Sequence, residues 1–179
     1  MTDAPDIETL DSREVYRNPW TVVREDRIRR RDGSEGLYGV VEKPDFVVVA
    51  ALEDGHLHMV EQFRYPVSGR FWEMPQGASE REAPDITAAR ELREETGVTA
   101  ASYEVIGFLH PCYGLSNHGF HVVLATGLTP GEPNRDAEEQ DMITRSFPLV
   151  QVLDMIRSGE IRDGVTVAAL SLLQLHGKL

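Results

Sequence analysis

The hydrophobic pattern along the chain predicts strands in its first half and a mixture of strands and helices after it. Short apolar or alternating runs bounded by Gly, Pro and Asp indicate strands. The run from Phe46 to Leu52 is continuously apolar, which is typical of a strand buried on both faces. The predicted strands cover residues 15–31 (as one or two strands), 37–42, 46–52, 58–63, 102–109, 119–126 and 142–147, and residues 70–74 form a short apolar segment.

Three segments carry the signals of helices. The first begins at Pro84 and Asp85, because proline needs no N–H partner in a first turn and a carboxylate favours the positive end of the helix dipole. Gly97 is the expected stop of that helix. Further helices are predicted over residues 148–158 and 165–175. Strands before, between and after helices indicate an α+β protein with a mixed β-sheet between helices.

The first of these helices carries a cluster of carboxylates. Glu91, Glu94 and Glu95 share one face, because positions i, i+3 and i+4 are neighbours on a helix. Ala88, Ala89 and Leu92 lie on the adjoining face, which would hold the helix against a core. Two interpretations are open at this point. The cluster is either a divalent metal site, whose cation offsets the repulsion, or a solvated acidic face of the kind that most charge runs form.

Composition narrows the classes of function. The chain has 179 residues and a formal net charge of −12, which argues against sequence-independent binding to nucleic acid and to anionic membranes. Its single cysteine, Cys112, cannot form an intrachain disulfide, so we expect a cytoplasmic protein. Residues 1–12 lack the apolar segment of a secretory signal, and no apolar run approaches membrane-spanning length. We expect residues 1–9 to be frayed.

Positions 77–98 resemble the Nudix box, Gly-x5-Glu-x7-Arg-Glu-(aliphatic)-x-Glu-Glu-x-Gly-(aliphatic). The residues that match are Glu82, Arg90, Glu91, Leu92, Glu94, Glu95, Gly97 and Val98. One element departs from the pattern, because Gly77 stands five positions before Glu82 instead of six and the loop is one residue short. Since the deletion falls in the loop, we expect the carboxylate face of the helix to be retained.

Other segments resemble the ADP-ribose and ADP-sugar pyrophosphatase branch of the Nudix family. They are residues 20–23, 38–42, 61–66, 72–75 and 156–161. The resemblance implies an α/β/α sandwich with an N-terminal strand unit, here residues 1–43, followed by a Nudix hydrolase domain over residues 44–179. It also implies a homodimer in which the strand unit reaches the neighbouring active site.

The resemblance to the Nudix box also implies a set of metal ligands. Nudix enzymes cleave a nucleoside diphosphate linked to another group, with two or three Mg²⁺ ions that Mn²⁺ can replace. Such hard cations prefer oxygen ligands. The implied ligands are Glu91 and Glu95, Glu94 as a further ligand or catalytic carboxylate, and the backbone carbonyl of Gln76 beside Gly77. Glu82 is expected to pair with Arg90 and so to orient the helix.

Further site residues are implied by the same resemblance. Glu138 or Glu139, in an acidic loop near the end of the sheet, is the expected general base or extra ligand, and the alternative is a solvated loop. Arg64 matches a position that binds the diphosphate, and is otherwise a surface arginine at a strand end. Trp20 and Tyr38 match positions that stack a nucleobase, with core packing as the alternative.

Two features of the sequence leave the identity of the substrate undetermined. The segment that resembles Ser-Pro-Gly-x-Ser-x-Glu reads Cys-Tyr-Gly-Leu-Ser-Asn-His over residues 112–118, so ADP-ribose itself is not implied. The Pro75-Gln76-Gly77 sequence also resembles Nudix enzymes that act on dinucleoside polyphosphates or RNA 5′ ends. We expect a Mg²⁺-dependent pyrophosphatase for a nucleoside diphosphate sugar. Those other substrates, or a non-catalytic ligand sensor, are the alternatives.

Overall fold

The computed structural model describes residues 5–79, 81–135 and 140–179. These residues belong to two compact units. The first, called the strand unit, contains the chain up to Pro44 together with Cys112–Gly119. The second, called the core unit, contains Asp45–Pro111 and Phe120–Leu179. Within the described ranges, no helix has the length and apolarity needed to cross a membrane.

The strand unit is a three-stranded antiparallel sheet, whose strands in order are β1 (Ile7–Asn18), β2 (Thr21–Arg30) and β3 (Glu35–Glu42). Residues 112–119 return to β3, where the Val41 amide donates a hydrogen bond to the Leu115 carbonyl at 2.9 Å. β1 is an edge strand of this sheet. The expectation that residues 1–9 are frayed is wrong for residues 7–9, because β1 starts at Ile7, and residues 1–4 lie outside the described residues. Pairing with β2 orders these residues.

The core unit is built on a seven-stranded sheet. Its main order is β10 (Ile143–Pro148), β5 (His56–Arg64), β4 (Phe46–Glu53), β9 (Phe120–Thr129) and β8 (Thr99–Leu109). Two short strands complete it, with β6 (Gly69–Glu73) on β5 and β7 (Gln76–Ala78) on β4. β4 and β9 are parallel, whereas β4 and β5 are antiparallel. The sheet is therefore mixed, as predicted.

Helices cover both faces of this sheet. On one face, α1 (Pro84–Thr96) packs with Ala88 and Leu92 in a cluster that includes Val47 and Val49. On the other face, α2 (Leu149–Ser158) and α3 (Gly164–Leu175) pack in a cluster that includes Val48. Residues of β4 alternate between the two clusters, because successive side chains of a strand point to opposite faces. The predicted α/β/α sandwich is confirmed for the core unit.

Most predicted element bounds agree with the structure to within a few residues. α1 begins at Pro84 and ends before Gly97, whose φ of 77° lies in the left-handed region that glycine tolerates. Pro148 is the N-cap of α2 rather than its first residue. The sequence pattern does not predict β7, because its three residues are too few to show a period.

Candidate active site

The carboxylates of α1 lie where the helix meets the sheet. Ala88 and Leu92 are fully buried against β4, and the neighbouring side of the helix carries Glu91 and Glu95. Glu91 is 8 % exposed and Glu95 is 1 % exposed, while Glu94 is partly exposed. An isolated buried carboxylate is costly, so Glu91 and Glu95 are not part of a solvated acidic face.

A close approach between β7 and α1 positions Glu91. β7 pairs with β4 with Gly77 opposite Val47, and this pairing places Gly77 directly against the Glu91 carboxyl group. A Cβ atom at residue 77 would overlap that carboxyl group. Only glycine therefore fits here, and the absence of its side chain leaves the space that the carboxylate fills. Gln76, whose carbonyl is an expected metal ligand, immediately precedes this contact.

Arg90 links three carboxylates to β7. Its guanidinium nitrogens lie 3.4 Å from Glu82 Oε2, 2.8 Å from Glu91 Oε1 and 3.1 Å from Glu94 Oε2. It also donates to the Ala78 carbonyl at 3.2 Å. Burial lowers the pKa of Arg90, but the charge of Glu91 and the hydrogen bond to Glu94 more than offset this, so the pKa is raised overall. Arg90 therefore remains a cation that orients the carboxylates of the helix.

The donor set suits a hard divalent cation. Glu91 and Glu95 supply carboxylate oxygens from a partly enclosed face, and such oxygens are the ligands that Mg²⁺ and Mn²⁺ prefer. The space that Gly77 leaves for Glu91 supports this fit, because it holds one donor beside the peptide carbonyl of Gln76. Among the residues that the structure describes, no three Asp, Glu, His or Cys side chains already converge as a metal-binding group.

Arg64 stands at the end of β5 and pairs with Glu73 of β6. Its Nε and NH2 atoms both donate to the Glu73 carboxylate, and Gln62 donates to the same carboxylate at 2.7 Å. Burial alone lowers the pKa of Arg64, but the bond to Glu73 and the charges of Glu73, Asp163 and Glu95 raise it overall. Arg64 lines the same cavity as Gln76, and Gly77, the next residue, contacts Glu91, so the guanidinium lies near the carboxylate face of α1.

Glu73 is a functional candidate that sequence reasoning missed. It is only 2 % exposed, and burial raises its pKa even though Arg64 lowers it by hydrogen bonding and charge. The ion pair is still the state we favour at neutral pH, since Arg64 is held strongly in its charged form. A signal was present in the sequence, because a lone carboxylate stands inside the apolar segment Phe71–Met74. Such a residue is rarely buried without a partner.

The C-terminal end of α1 is covered by the segment that follows β9. The Asn134 amide donates to the Glu94 carbonyl at 3.0 Å, and Arg135 Nε donates to the Glu95 carbonyl at 3.0 Å. Arg135 also donates to Thr144 Oγ1 of β10 at 2.8 Å. This segment leads to the acidic loop that contains Glu138 and Glu139, the expected general bases. Both residues lie outside the described residues.

The two predicted nucleobase-stacking residues belong to the strand unit. Trp20 is 68 % exposed and Tyr38 is 40 % exposed, so neither is a core residue. Tyr38 OH donates to the Gly114 carbonyl at 3.4 Å, within the same unit. Ser116 donates to the Val41 carbonyl at 2.7 Å and lies 2.5 Å from His118 Nδ1. Residues 112–118, whose sequence departs from the family pattern, are thus held by hydrogen bonds within the strand unit.

Taken together, the core unit offers clustered oxygen donors next to a guanidinium. Carboxylates on α1 can hold a divalent cation, and Arg64 can bind the oxygens of an anionic phosphate compound. This combination is suited to a diphosphate, since the cation and the arginine offset its charge in an otherwise acidic protein.

Comparison with known proteins agrees with this chemistry. A family model described as the NUDIX domain matches residues 42–169. A second model, described as the nucleoside diphosphate sugar hydrolase N-terminal domain, matches residues 7–41. A solved structure titled "Crystal structure of ADP compounds hydrolase" superposes with a TM-score of 0.86 over 100% of both chains, at 20% identity. That likeness confirms the fold.

Curated relatives match over most of the chain. The ADP-ribose pyrophosphatase of Mycobacterium tuberculosis (strain ATCC 25618 / H37Rv) is 35% identical over 91% of this chain and 81% of its own. The ADP-ribose pyrophosphatase of Bacillus subtilis (strain 168) is 34% identical over 83% of this chain and 82% of its own. A GDP-mannose pyrophosphatase of Escherichia coli O1:K1 / APEC is 29% identical over 65% of each chain. Because the NUDIX model spans most of the chain and the two ADP-ribose pyrophosphatases match along most of it, the chain belongs to the Nudix hydrolase family.

Proposed function

We propose that this Nudix hydrolase cleaves the diphosphate of a nucleoside diphosphate sugar, of the ADP-ribose or ADP-sugar type. The products are a nucleoside monophosphate and a sugar phosphate. The match of residues 7–41 to the N-terminal domain of nucleoside diphosphate sugar hydrolases supports this substrate class. So do the names of the relatives, which are ADP-ribose and GDP-mannose pyrophosphatases.

The contact between Gly77 and Glu91 is the observation that carries this proposal. It brings the strand segment containing the Gln76 carbonyl against the helix face containing Glu91 and Glu95. The one-residue deletion falls beyond this contact, in the loop where Arg81 adopts a φ of 68°. The shortened loop is therefore accommodated without loss of the Gly77–Glu91 contact.

Nudix hydrolases require a divalent metal ion. In this chain Glu91 and Glu95 would hold it, with Glu94 and the Gln76 carbonyl as further ligands. We propose two or three Mg²⁺ ions, replaceable by Mn²⁺. When bound, such ions neutralise a diphosphate and lower the pKa of an attacking water.

Other residues of the chain bind the substrate and move protons. Arg64 binds diphosphate oxygens, and its two bonds to Glu73 fix the plane of the guanidinium. Glu138 or Glu139, with Glu94 as the remaining candidate, accepts the proton of the water whose oxygen attacks phosphorus. The bridging oxygen then leaves with the other product. The choice among these bases comes from the family resemblance.

The strand unit completes the proposal. Trp20 and Tyr38, both exposed on it, stack the nucleobase. Residues 1–43 form the contact of a homodimer and residues 44–179 form the hydrolase domain. The protein acts in the cytoplasm on a small-molecule substrate, and neither a membrane nor nucleic acid is its partner.

The test is a panel of nucleoside diphosphate sugars incubated with Mg²⁺, with the products separated by chromatography. We expect metal-dependent release of a nucleoside monophosphate and a sugar phosphate in equal amounts. The panel should vary the base and the sugar independently, because the site described above does not distinguish among them. Chelation of the metal should abolish product release, and addition of Mn²⁺ should restore it.

The alternatives give different results in the same assay. Hydrolysis of dinucleoside polyphosphates or of RNA 5′ ends, with no turnover of nucleotide sugars, would replace the proposed substrate class. Tight binding of nucleotide sugars without turnover of any compound would identify a ligand sensor. The intact Glu91, Glu94 and Glu95 set argues against a sensor, since a pure binder does not need clustered carboxylates of like charge.

A further inference from the structure

A cavity of about 540 Å³ opens beside the end of β5 in the core unit. Its wall includes Arg64, Glu73 and Gln76, so it adjoins the residues assigned to the diphosphate and the metal. Its lining also includes Phe71 of β6 and Arg162, which precedes α3. A ligand whose diphosphate lies at Arg64 therefore extends one of its two halves into this cavity.

The carboxylates of the cavity are already used within the protein. Glu73 accepts hydrogen bonds from Gln62 and Arg64. Asp163 caps α3, where it accepts from the Val165 amide at 3.3 Å and the Thr166 amide at 2.8 Å. It also accepts from Thr166 Oγ1 at 2.7 Å. A ligand that enters the cavity finds few acceptors for its own donors, so the favoured ligand group is itself an acceptor.

Arg162 offers the donors that such a group needs. Its Nε donates to the Gly159 carbonyl at 2.6 Å, and its guanidinium carbon lies 5.8 Å from the centre of the Phe71 ring. These contacts fix the plane of the guanidinium. Over the part of the chain that the structure describes, Arg162 forms no ion pair with a carboxylate. Its remaining N–H groups are therefore available to an anionic ligand.

Phe71 argues against a nucleobase in this cavity. Among the described residues that line the cavity, Phe71 is the only aromatic one, and the Arg162 guanidinium already lies over its ring. The ring also lies so close to Gly69 that a Cβ atom there would meet it at 2.7 Å. A base would have to displace the guanidinium in order to stack. A phosphate group needs only the donors of Arg162.

We propose that Arg162 binds the phosphate on the sugar side of the cleaved bond, so that this cavity holds the sugar phosphate half of the substrate. The inference rests on the proposed function, because it presumes a substrate with a nucleoside half and a sugar half. It makes Arg162 a specificity-determining residue. A planar, fixed guanidinium can donate two parallel hydrogen bonds to phosphate oxygens, which a lysine in its place cannot do.

The experiment measures binding of the products, which are not turned over. Ribose 5-phosphate, AMP and ribose are titrated by NMR into the full chain with Mg²⁺ present. We expect ribose 5-phosphate to bind more tightly than ribose. Arg162→Gln should weaken ribose 5-phosphate binding by roughly tenfold and leave AMP binding unchanged, because one charge-assisted contact is lost. Arg162→Lys should recover only part of the loss.

Arg157→Gln is the matched control. Arg157 is an exposed arginine of α2 that pairs with Asp154 at 2.5 Å, so its loss changes the net charge equally but away from the cavity. Amide spectra of each variant report whether the fold is retained.

Four results would overturn the proposal. They are weakened AMP binding with ribose 5-phosphate unaffected, equal weakening of both, no change in either, and no preference of the wild type for ribose 5-phosphate over ribose. Hydrolysis of the nucleotide-sugar panel by the wild type is measured separately. Failure of the proposed function is thereby distinguished from failure of the Arg162 assignment.

Discussion

At the scale of single residues, a substitution at Gly77 tests the candidate metal site without changing any of its proposed side-chain ligands. A methyl group at this position would overlap the Glu91 carboxyl group. We therefore expect Gly77→Ala to displace Glu91 and to reduce kcat/KM by roughly 100-fold, the cost of a misplacement of about 1 Å in an active site. The Mg²⁺ concentration that gives half-maximal activity should rise as well.

The control for this prediction is Gly39→Ala on β3. A Cβ atom there meets nothing within 4 Å, and the position has no positive φ. Metal activation curves and thermal unfolding are recorded for both variants. Gly77→Ala with unchanged metal dependence would show that Glu91 is not held in place by this contact.

Glu95→Gln tests the proposed buried metal ligand directly. The amide has nearly the shape of the carboxylate but no charge to offer a divalent cation. We expect kcat to fall on the order of 10³-fold, because a metal ion contributes several kcal/mol to such a reaction. Thermal unfolding is recorded for the variant as well, to show that the fold is retained around this buried side chain. Wild-type kinetics in the variant would remove Glu95 from the metal site. Glu104→Gln, which changes an exposed carboxylate of β8, is the control.

Sequence patterns predicted some residues of the candidate site and missed others. The spacing of the Nudix box placed Arg90 beside Glu82, and the structure contains that pair. It also placed Glu91 and Glu95 on one helix face. It did not reveal Glu73 or Arg162. Glu73 contacts Gln62 and Arg64 of the neighbouring strand β5, and Arg162 contacts Phe71 far away in the sequence, and no periodic pattern records such contacts.

At the scale of elements, the C-terminal end of α1 depends on Gly97. This residue has a φ of 77°, and a Cβ atom on it would overlap the Gly131 carbonyl and lie 2.6 Å from the Glu132 carbonyl carbon. We expect Gly97→Ala to lower the free energy of unfolding by about 1–2 kcal/mol for the left-handed conformation, and by at least about 1 kcal/mol more for the overlap.

Gly159→Ala separates these two costs. Gly159 ends α2 in the same conformation, with a φ of 78°, but its nearest neighbour to a Cβ atom is Arg162 Nε at 3.9 Å. It should therefore show only the conformational cost. Urea unfolding of both variants measures the difference. Equal destabilisation would mean that the segment after β9 moves away from α1 at little cost.

His58 on β5 makes the stability of the core unit depend on pH. Burial lowers its pKa below 6.5, and the neighbouring Glu53 opposes this only in part. The folded protein then binds the proton less tightly than the unfolded chain does. Stability is present in full above pH 6.5 and is lost as the pH falls below it. We expect His58→Gln to lose less stability on acidification than the wild type.

The measurement is the midpoint of urea unfolding at pH values above and below 6.5. His176→Gln, which changes an exposed histidine after α3, is the control for loss of a histidine away from β5. Identical slopes for His58→Gln and the wild type would contradict the assignment of this pH dependence to His58.

Local sequence patterns predicted the positions of helices and strands better than they predicted which segments pair with one another. Proline and glycine marked both ends of α1, because each acts on its own backbone. β7 was missed, since a three-residue strand is defined by its pairing with β4. The return of residues 112–119 to β3 was missed for the same reason, as more than 70 residues separate the paired positions Val41 and Ser116.

At the scale of the whole molecule, the strand unit supports the proposed homodimer. β1 is a 12-residue edge strand that carries the exposed apolar residues Ile7, Val15 and Tyr16. A long exposed edge offers unpaired N–H and C=O groups to another chain, and monomeric proteins usually block such an edge. The apolar side chains give a second reason for a partner, because exposed apolar surface is stabilised by burial.

We therefore expect sedimentation equilibrium to give twice the chain mass of 20.0 kDa. Val15→Lys with Tyr16→Lys should shift the equilibrium to the monomer, because burial of two ammonium groups in the contact is costly. Leu175→Lys, at an exposed position of α3, is the control that should remain dimeric. If the monomeric variant also loses kcat/KM while Mg²⁺ activation is unchanged, the partner contributes to substrate binding. A wild-type mass of one chain would refute the dimer, and Trp20 and Tyr38 would then have to act within a single chain.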